Sequence, residues 1–322
     1  MLTTIAQFGT PVPGYTVAPT PAPRQTFPTE GSTDIFSKLD TSHGFRQDGP
    51  VYPSLSSRLF PALEALDETV KVLGKNPGSQ DVDRSNVRRI IRSVLPLALA
   101  HQDSYPEKKF KKAVKGLKQF SSAVGRFKDF YILEGEIKKL HPSGLPKDLS
   151  KALDKEYEKR EKKFKKAYRE FRKEELPRAI EVLSSPRGLD HLGDPREIVE
   201  RDRRHMAHHI GQLADKVDQV GLGADDPDEF HEGRKALRGL LIAGQATRET
   251  FDFPAGCLEG ASQIVNNLGV AQDSYLALEW CQKSGFKIEA AALDKVYSGL
   301  HDAEVEACRN YRGVDLFRKA VG

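Results

Sequence analysis

Two eleven-residue stretches decide how this chain is read: "SNVRRIIRSVL" at residues 85–95 and "HEGRKALRGLL" at residues 231–241. Laid over each other, they set Arg88 on Arg234, Arg89 on Lys235 and Arg92 on Arg238, an offset of 234 − 88 = 146. Apolar residues recur at helical period in both, at Val87, Ile90, Ile91, Val94 and Leu95 and at Leu237, Leu240 and Leu241. In the second stretch, His231, Arg234, Lys235 and Arg238 share one flank of such a helix. At 3.6 residues per turn that flank, and its counterpart Arg88, Arg89 and Arg92, is expected to turn away from the apolar stripe. Like charges gathered this way repel one another unless an anion lies across them. A shared core explains why two copies match at apolar positions, but it does not explain matched cations. Those point to a shared ligand.

The self-match continues in order along the chain. "VGRFKDFYILE" (124–134) aligns with "LGVAQDSYLALE" (268–279), placing Gly125 on Gly269, Asp129 on Asp273 and Tyr131 on Tyr275. "ALDKEY" from Ala152 then aligns with "ALDKVY" from Ala292. Ordered blocks with slowly drifting offsets mark a tandem duplication of a helical unit about four helices long. Alternating Val/Ile/Thr-rich runs are almost absent, so the expected class is all-α. The first copy is read as residues 53–186 and the second as 187–322. Residues 1–52 are rich in Pro, Thr and Gly without an apolar period, as in "TPVPGYTVAPTPAPRQTFPTEGS", and read as a disordered tail.

Composition narrows the class further. A chain with 38% hydrophobic and 30% charged residues suits an extensive helical surface. No apolar run approaches the roughly 20 residues that span a bilayer, so no membrane partner is expected. The opening "MLTTIAQFGTPVPGY" has neither a cationic nor an apolar signal region, so no export is expected. Cys257, Cys281 and Cys308 are widely spaced with no CxxC pair, which fits a reducing, cytoplasmic compartment and neither disulfides nor zinc. The net charge of +4 hides a local imbalance: residues 107–128, "EKKFKKAVKGLKQFSSAVGRFK", carry eight Lys/Arg against one carboxylate. Clustered basicity of this kind suggests a polyanionic partner.

The pattern HxxR[KR]xxR on a helix, followed some 30–40 residues later by LGxxxD, resembles the CHAD family, the conserved histidine α-helical domain. The resemblance covers about residue 53 to the end and recurs in both copies. It implies two tandem four-helix bundles related by a pseudo-twofold. It also implies non-catalytic binding of inorganic polyphosphate on a basic surface between the bundles, and association with polyphosphate granules. The implied ligand set is His231, Arg234, Lys235 and Arg238 with Arg88, Arg89 and Arg92. Lys128 stands where the family often has Arg before the aspartate. The first-copy histidine falls on Ser85, so half of the eponymous pair is missing. Lys108, Lys112 and Lys115 share a face of the adjacent basic helix and could extend the track.

The residue chemistry stands beside that resemblance. Polyphosphate carries about one negative charge per phosphate and no bases to read, so it needs cations rather than stacking platforms. Arg bridges two phosphate oxygens with a planar fork, and Lys supplies a compact charge. The alternative reading is a helical interaction scaffold, its tail recruiting a protein and its basic track binding nucleic acid.

Three other constellations carry weaker signals. Glu134, Glu136 and Lys138 spell the ExExK of triphosphate tunnel enzymes, but in a helical region positions two apart diverge. His205 and His209 have an i, i+4 spacing suited to a metal, with His208 beside them, yet no third ligand is evident. The run "EKREKKFKKAYREFRKEE" reads as a salt-bridged helix. No catalytic residues, metal or cofactor are expected.

Overall fold

Apolar spacing becomes helix at every regular element of the computed structural model, which describes residues 55–186, 195–309 and 311–322. The described residues belong to one unit, Gly49–Gly322. The Pro-rich segment 1–52 lies outside the described residues, as do residues 187–194, where the boundary between copies was read. In chain order the first half gives α1 (Leu55–Leu73), α2 (Ser79–Arg84), α3 (Val87–Ala100), α4 (Glu107–Leu140), α5 (Lys147–Glu170) and α6 (Leu176–Leu183). The second gives α7 (Pro195–Val220), α8 (Pro227–Thr247), α9 (Cys257–Ser284), α10 (Lys287–Arg309) and α11 (Gly313–Val321). None of the described helices is long and apolar enough to cross a membrane.

Local chemistry sets several helix ends. The Asp226 carboxylate accepts the N–H groups of Asp228 and Glu229 at 3.0 Å, and Pro227 occupies the first turn, so α8 starts cleanly ahead of His231. "HPSGLPKDLS" separates α4 from α5 as its prolines and glycine require. α9 stops at Gly285, whose φ of +83° suits glycine, and the next N–H, of Phe286, donates to the Cys281 carbonyl at 2.9 Å. The charged α5 is laced by Glu156–Arg160 at 2.7 Å and Glu161–Lys165 at 3.2 Å, as its i, i+4 spacing predicts.

Packing repeats between the halves. α1 lies on α3 and α7 on α8; α3 lies on α4 and α8 on α9; α4 carries α5 and α6, and α9 carries α10 and α11. Across the halves, α3 packs on α8 and α4 packs on α9. The helices nonetheless do not part into two discrete four-helix bundles. One apolar core joins Ile91, Leu117 and Phe171 to Leu237, Leu240 and Phe317. The other joins Phe130, Ile137 and Leu153 to Leu268, Leu278 and Leu293. The reason is length: α4 has 34 residues, about 50 Å at 1.5 Å per residue, and contributes to both cores.

A candidate anion site at the α3–α8 junction

The two cationic helices pack directly on each other, and their arginines meet. Arg92 lies within the field of Arg88 on its own helix and Arg234 on α8, with Asp129 of α4 opposing them. Arg238 feels Arg234, Arg92 and Arg88, with Asp273 of α9 opposing. Burial is the leading cause in both, reinforced by these like charges, and it pushes Arg92 down to about 10 and Arg238 down to about 9. The expected outward flank is corrected here for most of its members. Arg88, Arg92, Arg234 and Arg238 are half-buried, because α3 and α8 are enclosed on more than one side. Arg89 and Lys235, about 100° further around each helix, are exposed.

A glycine on the facing helix receives one arginine from each half. A Cβ at Gly125 of α4 would stand 2.8 Å from Arg88 Cζ and 3.2 Å from its Nη1. A Cβ at Gly269 of α9 would stand 2.7 Å from Arg234 Nη2 and 3.3 Å from its Cζ. Only a residue without a side chain lets the guanidinium lie this close to the helix. One turn beyond each glycine sits a carboxylate, Asp129 or Asp273. Arg234 also donates through Nε to the Val265 carbonyl at 3.3 Å, one turn before Gly269. The matched Gly-x-x-x-Asp blocks are therefore seats for the matched arginines.

Asp129 is the hub of the cluster. Burial raises its carboxyl above the usual range, against the pull of Arg88, Arg160, Arg234 and Arg238. Arg160, from α5, reaches it while donating through Nε to Glu156 at 2.7 Å and through Nη1 to the Arg126 carbonyl at 2.8 Å. Asp129 and Arg160 also line a cleft of about 1120 Å³ between α4, α5 and α9, together with Lys163 and Trp280.

The remaining sequence-expected residues fall at different distances from this hub. His231 is half-buried on α8, with Arg234 and Lys235 acting on it. Among the described residues its buried Nδ1 has no hydrogen-bond partner, while a bond to Gln272 of α9 favours its charged form. Burial first, then Lys235 and Arg234, holds its imidazolium below the ordinary range. Lys235 is engaged at 2.6 Å by Glu232. Ser85 is more than a substituted histidine. It lies in a turn before α3, its hydroxyl donates to the Val82 carbonyl at 2.6 Å, and Asn86 (φ +59°) separates it from the helix bearing Arg88. The first copy thus lacks the helical turn on which His231 sits.

Lys128 is exposed beside Asp129. Lys108, Lys112 and Lys115 are exposed near the start of α4. Lys115 precedes Asp129 by fourteen residues, about 21 Å along the helix, so these lysines do not join the arginine cluster. Arg160 and Gln272 were missed by sequence reasoning, and Asp129, Asp273 and the two glycines were matched without being assigned. The repeated Gly-x-x-x-Asp spacing was the signal for the last four; Arg160 looks like any i, i+4 partner of Glu156.

The ExExK, histidine and mixed-charge stretches occupy ordinary positions. Lys138 pairs with Glu134 at 2.7 Å, and Lys139 with Glu136 at 2.6 Å, on the helical surface of α4. His205 stacks on buried His101 with ring centroids 5.4 Å apart, and His208 meets Gln212. Among the described residues no group of three or more His, Cys, Asp or Glu side chains could hold a metal ion.

No curated protein and no solved structure matches the chain. One family profile does, that of the CHAD domain, over residues 91–282. The match takes in Arg92, Asp129, His231, Arg234, Arg238 and Asp273, and begins just after Arg88 and Arg89. It covers more than half of the 322 residues, and the chain belongs to the CHAD family.

Proposed function

We propose that this chain is a non-catalytic binding module for inorganic polyphosphate, seated where α3 meets α8. The observation that carries this reading is the convergence of Arg88, Arg92, Arg234 and Arg238 on one half-buried junction, with Asp129 and Asp273 as the carboxylates acting among them. Like-charged guanidinium groups held together away from water are unfavourable until an anion joins them. Their planar forks suit paired phosphate oxygens. His231 adds a donor that a bound anion favours in its charged form. Exposed Arg89, Lys235 and Lys128 lie on the same helices as the cluster and extend it, while Lys108, Lys112 and Lys115 engage only a longer chain. Later contacts along one polymer are intramolecular, so modest contacts add up to tight binding.

In this reading residues 53–186 and 187–322 are pseudo-twofold-related four-helix units that share their cores, and the ligand lies along the axis between them. The module is cytoplasmic and accompanies polyphosphate granules. Titration with long-chain polyphosphate at rising salt tests the proposal. Tight binding that weakens steeply with salt is expected; no binding at low ionic strength overturns it. Competition with single-stranded RNA of equal charge is expected to favour polyphosphate, and a preference for RNA transfers the site to nucleic acid. Incubation with polyphosphate and magnesium is expected to release no phosphate.

A further inference from the structure

We infer that the cleft between α4, α5 and α9 is a second binding site, for a nucleoside triphosphate whose base stacks on Trp280 and whose phosphates lie along Lys118, Arg126 and Lys163. It takes a ligand of a different class from the junction's and stands whether or not polyphosphate binds there. The cleft holds about 1120 Å³, room enough for such a ligand. Ring contacts set its walls. Phe127 of α4 meets Tyr157 and Phe164 of α5 with centroids 5.7 and 5.6 Å apart, and Phe120 stacks on Phe171, just past α5, at 3.9 Å. The two helices therefore run antiparallel, and Arg160 Nη1 fixes their register by donating to the Arg126 carbonyl at 2.8 Å. Phe120, Phe127 and Phe164 are buried and form an apolar floor.

That register gathers three exposed cations on the rim. Lys118 and Arg126 stand two turns apart on α4, about 12 Å at 1.5 Å per residue, and Lys163 of α5 comes level with the stretch between them. Among the described residues none of the three has a carboxylate partner, and the Arg126 guanidinium meets the Ser122 hydroxyl at 3.3 Å. Most carboxylates lining the cleft are already engaged. Glu156 holds Lys159 and Arg160 at 3.1 and 2.7 Å, Glu175 holds Arg178 at 2.7 Å, and Glu279 holds Lys283 at 2.6 Å. On the third wall α9 presents Trp280, the chain's single tryptophan. Phe286 stacks on the indole with centroids 5.7 Å apart and 16° between planes, which holds the ring in place and leaves its remaining surface to the cleft. Any base has a π-face for such a platform. One platform takes one base, and three unpaired cations match the charge of one triphosphate. A nucleic-acid strand would bring more bases than the cleft has platforms, since the floor phenylalanines are buried.

The fluorescence of Trp280 in the full chain reads the site directly. In magnesium-free buffer ATP is expected to quench it saturably. Tripolyphosphate is expected to reverse the quench only at about 10- to 100-fold higher concentration, the scale of one stacked base. A double variant, Lys118→Gln with Lys163→Gln, is expected to weaken the ATP response about 5- to 20-fold, the scale of two exposed ion contacts. Trp280→Ala, followed by equilibrium dialysis, is expected to bind ATP no more tightly than tripolyphosphate and to bind long-chain polyphosphate as the wild type does. Trp280→Phe keeps a ring on Phe286, so ATP binding retained there separates lost stacking from a damaged fold. An ATP titration without quenching overturns the site, as does equal affinity of the wild type for ATP and tripolyphosphate, or an unchanged ATP response in the double variant. Single-stranded RNA that quenches Trp280 at lower nucleotide concentration than ATP also overturns it, in favour of nucleic acid. A wild type that binds ATP but no polyphosphate removes the junction reading and leaves this one standing.

Discussion

Replacing Gly125 by alanine probes the arginine seat with a single methyl group, and Gly135 on the same helix provides the reference. At Gly135 a Cβ meets nothing within 4 Å, so Gly135→Ala is expected to gain the ordinary helix-interior advantage, up to about 1 kcal/mol. At Gly125 the same methyl falls 2.8 Å from Arg88 Cζ, closer than real Cβ contacts allow. The backbone need not move, because the guanidinium is the far end of a flexible side chain. Arg88 must instead leave its place beside Asp129. Losing a charge-assisted contact costs about 1.5–3 kcal/mol, offset by the same ~1 kcal/mol of helix propensity, for a net loss of about 0.5–2 kcal/mol. The two alanine variants should thus differ by about 1.5–3 kcal/mol in urea unfolding, or roughly 3–5 °C in melting temperature for a domain of this size. Gly125→Ala should also weaken polyphosphate binding while Gly135→Ala leaves it unchanged. Equal stabilisation by both substitutions would refute the seat.

Two titrating histidines give further expectations. His209 is pushed down to about 4, by burial first and then by His101, His208 and Lys118. The unfolded chain binds this proton more readily, so the contribution is complete above the unfolded value of about 6.5 and is lost as pH falls toward 4. At 1.36 kcal/mol per unit it amounts to on the order of 3 kcal/mol in full, with about 2 kcal/mol gone by pH 5. Urea unfolding of wild type and His209→Gln at pH 7 and pH 5 should show a flatter acid limb in the variant; parallel limbs would contradict this. For His231, held low by burial, Lys235 and Arg234, a seated anion favours the imidazolium. Polyphosphate binding should therefore take up protons and tighten as pH falls from about 7.5 to about 6. Calorimetry in buffers of different ionisation enthalpy measures the uptake, and an undiminished uptake in His231→Gln would count against the assignment. Neutralising Arg238, pushed down to about 9, should raise anion-free stability by about 1–2 kcal/mol, a fraction of what that depression represents, because the shorter side chain leaves a void. Thermal unfolding of Arg238→Gln in anion-poor buffer checks it, and a lowered melting temperature would argue that the charge is well compensated.

Much of this architecture was legible because it was written twice. The all-α class followed from helical spacing alone, and the matched Arg88/Arg234 and Arg92/Arg238 pairs followed from self-comparison. The orientation of those arginines was not. Helical period separates an apolar stripe from a polar flank, but it does not say whether the flank meets water or a second helix. For α3 and α8 it meets each other. The expectation of two discrete bundles failed on the reach of α4, since a long helix can serve two cores and its sequence period is the same either way. The substitution at Ser85 was visible, whereas the left-handed Asn86 that takes Ser85 off the helix was not, because asparagine also serves inside helices and caps. Arg160 stayed hidden because its partner Glu156 made it look like one more surface pair.

The central claim is that α3 and α8 present one anion site, anchored at their junction rather than along the exposed lysines of α4. Side-chain NMR of the arginine Nε–H groups and lysine ammonium groups, followed through a polyphosphate titration, tests it most directly. Arg92 and Arg238 are expected to shift first and saturate at one equivalent, with Lys108, Lys112 and Lys115 following only for long chains. Lysine resonances that move first, while the arginine signals stay where they were, would contradict the account.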